Sequence, residues 1–169
     1  YFTDPGAPNP DMDMDFSGVY RVSPDLGTIT LLVRDFVTPN GLTFSPDESI
    51  LYINDSRRRH IRAFDLRPNG MLALASDRVF CDLISDLPGV PDGMKVDTAG
   101  RLYSSGPGGI WVFEPSGNNC TGVLLGKILV PQIPANCGWG EDGSTLFITA
   151  RTGLYKIRLG AKGTPVGPR

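Results

Sequence analysis

Short apolar stretches separated by turn residues run through almost the whole chain. Stretches rich in Val, Ile, Leu, Tyr, Phe and Thr alternate with clusters of Gly, Pro, Asn and Asp, as in GVYRV at 18, ILYIN at 50 and TLFITA at 145. Alternation over such lengths is typical of half-buried β-strands. No segment shows sustained helical spacing of apolar residues. The pattern therefore predicts an all-β protein, with one short helical turn within residues 80–90.

The predicted strands are organised as a repeat. PNGLTFSPDESILYIND aligns with PDGMKVDTAGRLYSSG and with ANCGWGEDGSTLFITA, and these copies begin at Pro39, Pro91 and Ala135. A period of about 40 to 50 residues with four strands in each copy is typical of the blades of a β-propeller. An immunoglobulin-like sandwich is the competing all-β fold, but it gives no reason for self-similarity at this period.

The repeat predicts a six-bladed type of propeller, of which this chain holds a little over half. We expect residues 1–34 to form the end of one blade, 35–85 and 86–130 to form complete blades, and 131–169 to form an incomplete last blade. An open arc would expose the blade faces at both ends, which natural sheets avoid. We therefore expect either a missing amino-terminal half or a second copy of the chain to close the ring.

Asn40, Asp92 and Asn136 occupy the same offset in the three copies. The first strand of a propeller blade is the innermost, so these side chains are expected to converge at one mouth of the central channel. Carboxylate and amide oxygens suit Ca²⁺ above all, and an oxygen-rich site also accepts Mn²⁺, Mg²⁺ or Zn²⁺. Pro-Asn-Gly and Pro-Asp-Gly are equally ordinary turn sequences. Turn chemistry alone does not account for Asn136, which has neither Pro nor Gly beside it.

Composition and charge narrow the classes of function. The formal net charge of −2 offers no basic face to nucleic acid or to an anionic membrane, and no apolar stretch is long enough to predict a transmembrane helix. Cys81, Cys120 and Cys137 have no metal-binding spacing and His60 is the only histidine, so we expect buried free thiols and no zinc site. The composition is that of a soluble protein. The compartment is unknown, with the cytoplasm as the default expectation.

Four blocks of sequence resemble one known family in their order and spacing. The resemblance to the gluconolactonase / senescence-marker-protein (regucalcin) family spans nearly the whole chain and is carried by GVYRVSPD, DFVTPNGLTFSPDESILYIND, PDGMKVDTAGRLYSSGPGGIWVFEPSG and NCGWGEDGSTLFITARTGLYKIRLGAKG. It implies a six-bladed propeller that holds one catalytic divalent metal in its channel and hydrolyses sugar lactones.

The resemblance also implies roles for individual residues. Asn40 and Asp92 match the metal ligands of the family, and Asp92 also matches its general base or acid. The family's third ligand, a Glu, has no counterpart in this chain, and neither have its substrate-binding Asn and Arg. Asp4 and Asn136 fall near the pocket and are carried over as candidate substrate-binding residues.

Three functional hypotheses from different classes follow. The first is a metal-dependent, gluconolactonase-like hydrolase of sugar lactones. The second is a phosphotriesterase or arylesterase that uses the same metal site, because one fold supports several chemistries. The third is a non-enzymatic calcium-binding propeller in which the ion holds the ring together. Serine-type hydrolysis is disfavoured, since the chain has no Gly-x-Ser-x-Gly motif and only one histidine.

Overall fold

The computed structural model describes residues 1–6, 14–116 and 121–165. This part of the chain is built from β-strands, with one 3₁₀ turn at Leu74–Ser76 and no α-helix. The strands are β1 (Phe2–Asp4), β2 (Gly18–Val22), β3 (Ile29–Val33), β4 (Pro39–Phe44), β5 (Ile50–Asp55), β6 (His60–Asp65), β7 (Arg78–Asp82), β8 (Met94–Val96), β9 (Leu102–Gly106), β10 (Gly109–Ser116), β11 (Thr121–Leu129), β12 (Pro134–Gly140), β13 (Thr145–Ala150) and β14 (Gly153–Arg158). The all-β expectation is confirmed.

The strands form four antiparallel sheets, in each of which neighbouring strands follow one another along the chain. The sheets are β1–β3, β4–β7, β8–β11 and β12–β14. The first strands of successive sheets contact one another, β1 with β4, β4 with β8 and β8 with β12. The four sheets therefore stand around one row of inner strands, as the blades of a propeller do. The blade limits at residues 34, 85 and 130 stay predictions.

Apolar layers fill the spaces between neighbouring sheets. Alternation along β5 turns Leu51 and Ile53 towards the first sheet and Tyr52 towards the third, so this strand is buried on both faces. The layer between the second and third sheets contains the most buried aromatic side chains, namely Tyr52, Phe80, Trp111 and Phe113. A further layer joins the third sheet to the fourth through Tyr103, Ile110, Cys137, Leu146 and Ile148.

The turns between the first two strands share one feature in the last three sheets, although the last of them also has a positive φ of 56° at Glu141. One matching residue of each turn has a positive φ, 59° at Glu48, 86° at Gly100 and 82° at Gly143. In each turn the amide of this residue donates to the carbonyl three residues earlier. The repeat seen in the sequence is thus reproduced in the backbone geometry.

The predicted helical turn within residues 80–90 is wrong. The first three of these residues complete β7, where Cys81 pairs with Ile61 of β6, and the only helical turn described lies earlier, at Leu74–Ser76. Ladder hydrogen bonds to β6 thus hold this backbone extended. Cys81 and Cys137 are buried free thiols as expected, whereas Cys120 lies outside the described residues. No helix in the described ranges is long and apolar enough to cross a membrane.

Candidate functional site

The predicted ligands lie at one end of the row of inner strands. Asn40 lies within β4 and Asp92 two residues before β8. A β-bulge opposes Asn40 and Gly41 to the single residue Asn54 of β5, which takes Asn40 out of the regular alternation of its strand. Bulges of this kind re-aim side chains and are frequent beside active sites.

Two glycines let the inner strands approach closely at this end. A Cβ on Gly41 would lie 1.9 Å from the backbone oxygen of Asp92, and a Cβ on Gly93 would lie 2.0 Å from Oδ1 of Asn136. Only glycine allows such distances. Asn40 and Asn136 on their strands and Asp92 just before β8 therefore lie at the same end of three adjacent inner strands.

The side chain of Asn40 lies next to Asp92 and Ser56. Its interaction with the Asp92 carboxylate lowers the pKa of that group, and its Nδ2 donates to Oγ of Ser56 at 3.2 Å. The Ser56 hydroxyl donates in turn to the carbonyl of Pro91. One connected network thus joins the end of β5, the bulge of β4 and the segment that leads into β8.

Asp92 is a half-buried carboxylate with no cationic partner among the described residues. Burial raises its pKa, and the interaction with Asn40 opposes this shift. None of the ion pairs in the described part of the chain includes Asp92. A cation bound beside the carboxylate would offset the cost of its burial and favour its ionised form. The electrostatics of the site therefore fit a bound cation.

The backbone of the site is held by side chains from the preceding sheets. Thr3 Oγ1 donates to the carbonyl of Asn40 at 2.7 Å, and Asn54 Nδ2 donates to the carbonyl of Asp92. Between the third and fourth sheets Ser105 makes an equivalent contact, in which its Oγ donates to the carbonyl of Ala135 at 3.2 Å. These contacts fix where each inner strand begins relative to the next.

Sequence reasoning did not single out Asn54, Ser56 and Ser105. A signal for two of them was present, because Asn54 and Ser105 are polar residues at matching offsets in the second strands of two repeats, where apolar residues are the rule. For Ser56 the sequence offers no comparable signal, since it follows β5 in a polar turn.

The two candidate substrate-binding residues differ in their surroundings. Asn136 is exposed at the same end as Asp92, and its Oδ1 accepts a hydrogen bond from the Cys137 amide at 2.8 Å. Asp4 lies at the end of β1, next to Thr3, which contacts the Asn40 backbone. Neither side chain forms a hydrogen bond with Asn40 or Asp92 among the described residues. Their roles stay predictions.

The described residues contain no group of three or more His, Cys, Asp and Glu side chains that could hold a metal ion. Asn40 and Asp92 are the two predicted ligands that lie together in this part of the chain, and their role stays a prediction. A cavity of about 340 Å³ lies at the other end of the inner strands, where Phe44, Lys95 and Trp139 line it. This cavity does not include the two predicted ligands.

Four sheets around one row of inner strands, with a carboxylate and an amide lying together at its end, define a β-propeller with a candidate cation site on its axis. The chain belongs to the SMP-30/gluconolactonase/LRE-like family, whose model matches residues 1–152. The family predicted from the sequence blocks is confirmed, and with it the propeller fold.

Individual relatives support this membership. The chain is 39% identical to a gluconolactonase from Zymomonas mobilis subsp. mobilis over 94% of this chain and 46% of that protein. It is 35% identical to an L-arabinolactonase from Azospirillum brasilense over 81% of this chain and 44% of that protein. The solved structure of a gluconolactonase from Xanthomonas campestris matches with a TM-score of 0.74 at 35% identity, over 88% of this chain and 46% of that one. The chain spans slightly less than half the length of these relatives.

Proposed function

We propose that the protein is a metal-dependent hydrolase that opens sugar lactones. The observation that carries this proposal is the half-buried carboxylate of Asp92, which lies next to Asn40 and has no cationic partner among the described residues. Two relatives more than 30% identical to the chain are named for the hydrolysis of gluconolactone and arabinolactone. A cyclic ester of a sugar acid is therefore the substrate class we assign.

Asn40 and Asp92 hold the divalent cation. Both offer oxygen, which favours the hard cation Ca²⁺, and Mn²⁺, Mg²⁺ and Zn²⁺ are compatible with the same donors. The described residues bring no third donor of this kind to the site, so a further part of the propeller or a second copy of the chain supplies the remaining ligands. When bound, the cation supplies electrophilic assistance to the lactone carbonyl.

Asp92 moves the proton in the reaction. Its carboxylate accepts a proton from the attacking water as the carbon–oxygen bond forms, and it returns this proton to the ring oxygen as the ester bond breaks. Asn40 is neutral, so its amide adds no negative charge to the site. Asp4 and Asn136 are proposed to contact the sugar hydroxyls.

The proposal is tested on the complete gene product with gluconolactone, Ca²⁺ or Mn²⁺ and a pH indicator that follows acid release. Asp92→Asn keeps the shape of the side chain but removes its basicity, so we expect kcat to fall by at least about 10²-fold with little change in melting temperature. Asp86→Asn is the matched control, because Asp86 is exposed in the preceding loop and its loss should leave kcat unchanged. Full activity of Asp92→Asn, or of the enzyme after chelation, would contradict the proposal.

Two alternatives use the same cation. A phosphotriesterase or arylesterase would give a higher kcat/KM on a phosphotriester or aryl ester than on a lactone, whereas we expect the lactone to be preferred. A non-enzymatic calcium-binding propeller would lose melting temperature when Asp92 is replaced and would open no lactone with any of these metals.

A further inference from the structure

The Ser56 hydroxyl forms hydrogen bonds with two groups, the Pro91 carbonyl and the Asn40 side chain. Ser56 is 8% exposed and donates to the Pro91 carbonyl, which can only accept. A hydroxyl has one proton, so towards Asn40 the Ser56 oxygen can only accept. The group of Asn40 that faces Ser56 at 3.2 Å is therefore the amide nitrogen Nδ2 and not the oxygen.

With Nδ2 directed to Ser56, the other branch of the Asn40 amide is the oxygen Oδ1. No described residue donates to Oδ1 of Asn40, which leaves this oxygen for a cation.

We propose that Ser56 is a positioning residue, which holds the Asn40 amide in the orientation that offers Oδ1 to the cation. The inference rests on the proposed function, because it concerns the same cation. Without the Ser56 oxygen, the amide is freer to turn by 180° and to present its NH₂ group, which has no lone pair for a metal. Replacing outer partners of metal ligands typically weakens metal affinity by about 10- to 100-fold.

The test measures the affinity of the complete gene product for Ca²⁺ alone, by calorimetry and by competition with Tb³⁺ luminescence. For Ser56→Ala we expect a Kd about 10- to 100-fold higher. Ser56→Cys fills the same space but offers only a weak acceptor, so it should show a similar loss even where the alanine variant folds poorly. Ser45→Ala is the matched control: Ser45 is also 8% exposed, lies at the other end of the same β4–β5 hairpin and bonds Asp47 instead. Its Kd should stay unchanged.

A second experiment, in the Asn40→Asp variant, distinguishes an effect of Ser56 on the orientation of the Asn40 amide from an effect on packing. In Asn40→Asp, either oxygen of the carboxylate can face the cation, so the orientation no longer matters. Adding Ser56→Ala to this background should change the Kd by no more than about 2-fold. An equal loss in both backgrounds, or no loss in either, would overturn the role of Ser56 alone. Absence of Ca²⁺ binding in the unaltered protein would overturn the proposed function as well.

Discussion

Gly41 shows how a single residue sets the geometry of the candidate site. Its missing side chain lets β4 approach the backbone of Asp92 so closely that any Cβ would collide with a carbonyl oxygen, at 1.9 Å. The obstacle is backbone rather than the end of a flexible side chain, so it cannot turn aside. The distance between Asn40 and Asp92 therefore depends on glycine at this position.

Gly41→Ala should destabilise the protein by about 1–3 kcal/mol, because the added methyl group overpacks the contact between two inner strands. It should also weaken Ca²⁺ binding, since Asp92 has to move. Gly138→Ala on β12 is the control, because nothing lies within 4 Å of a Cβ built there. Urea unfolding of both variants gives the measurement. Equal stability of the two variants would show that the close approach is not a constraint.

At the residue scale, the repeat aligns Asn40 and Asp92 and so predicted that they lie at one end of the inner strands. It did not predict the residues that hold them there, and the role of the two as cation ligands stays a prediction. The partners of Asn54 and Ser56 lie 38 and 35 residues further along the chain. Such pairs depend on the register between neighbouring sheets, and no local pattern encodes this register.

At the scale of the elements, the hairpin turn that joins the first two strands has one matching left-handed position in the last three sheets. Gly100 and Gly143 adopt its left-handed conformation without strain, whereas the equivalent residue of the β4–β5 turn is Glu48, at φ 59°. A side chain in this region costs about 1–2 kcal/mol relative to a right-handed one. Comparison of the three turns thus identifies Glu48 as a residue with an unfavourable backbone conformation.

Glu48→Gly should stabilise the protein by about 0.5–1 kcal/mol, because relief of the left-handed strain exceeds the entropy that glycine adds to the unfolded chain. Glu48→Ala should give no such gain, since alanine meets the same strain. Denaturant titration of the two variants decides the matter. A glycine variant that is no more stable than the alanine variant would contradict this explanation.

Most strands could be predicted from alternation and turn residues, and the helical turn was the exception. The segment FCDLISDL has an apolar spacing that one helical turn would also satisfy. In the structure its first residues pair with β6. Tertiary pairing outweighed the local pattern here, as it does for many short apolar segments.

At the scale of the whole molecule, the repeat period predicted how the sheets are arranged. Each inner strand contacts the next, and each space between sheets is filled by side chains from both. The architecture brings residues that are about 50 positions apart in the sequence to one end of a shared axis. Self-similarity at this period is readable in the sequence, which is why the fold class could be predicted while the blade limits stay predictions.

In the proposed enzyme, Asn40 and Asp92 share one cation on this axis. The most direct test is a crystal structure of the complete gene product with Ca²⁺, with the ion located by its anomalous scattering. We predict one peak about 2.3–2.6 Å from both Oδ1 of Asn40 and a carboxylate oxygen of Asp92. A cation found elsewhere, or none between these two side chains at saturating Ca²⁺, would contradict the account.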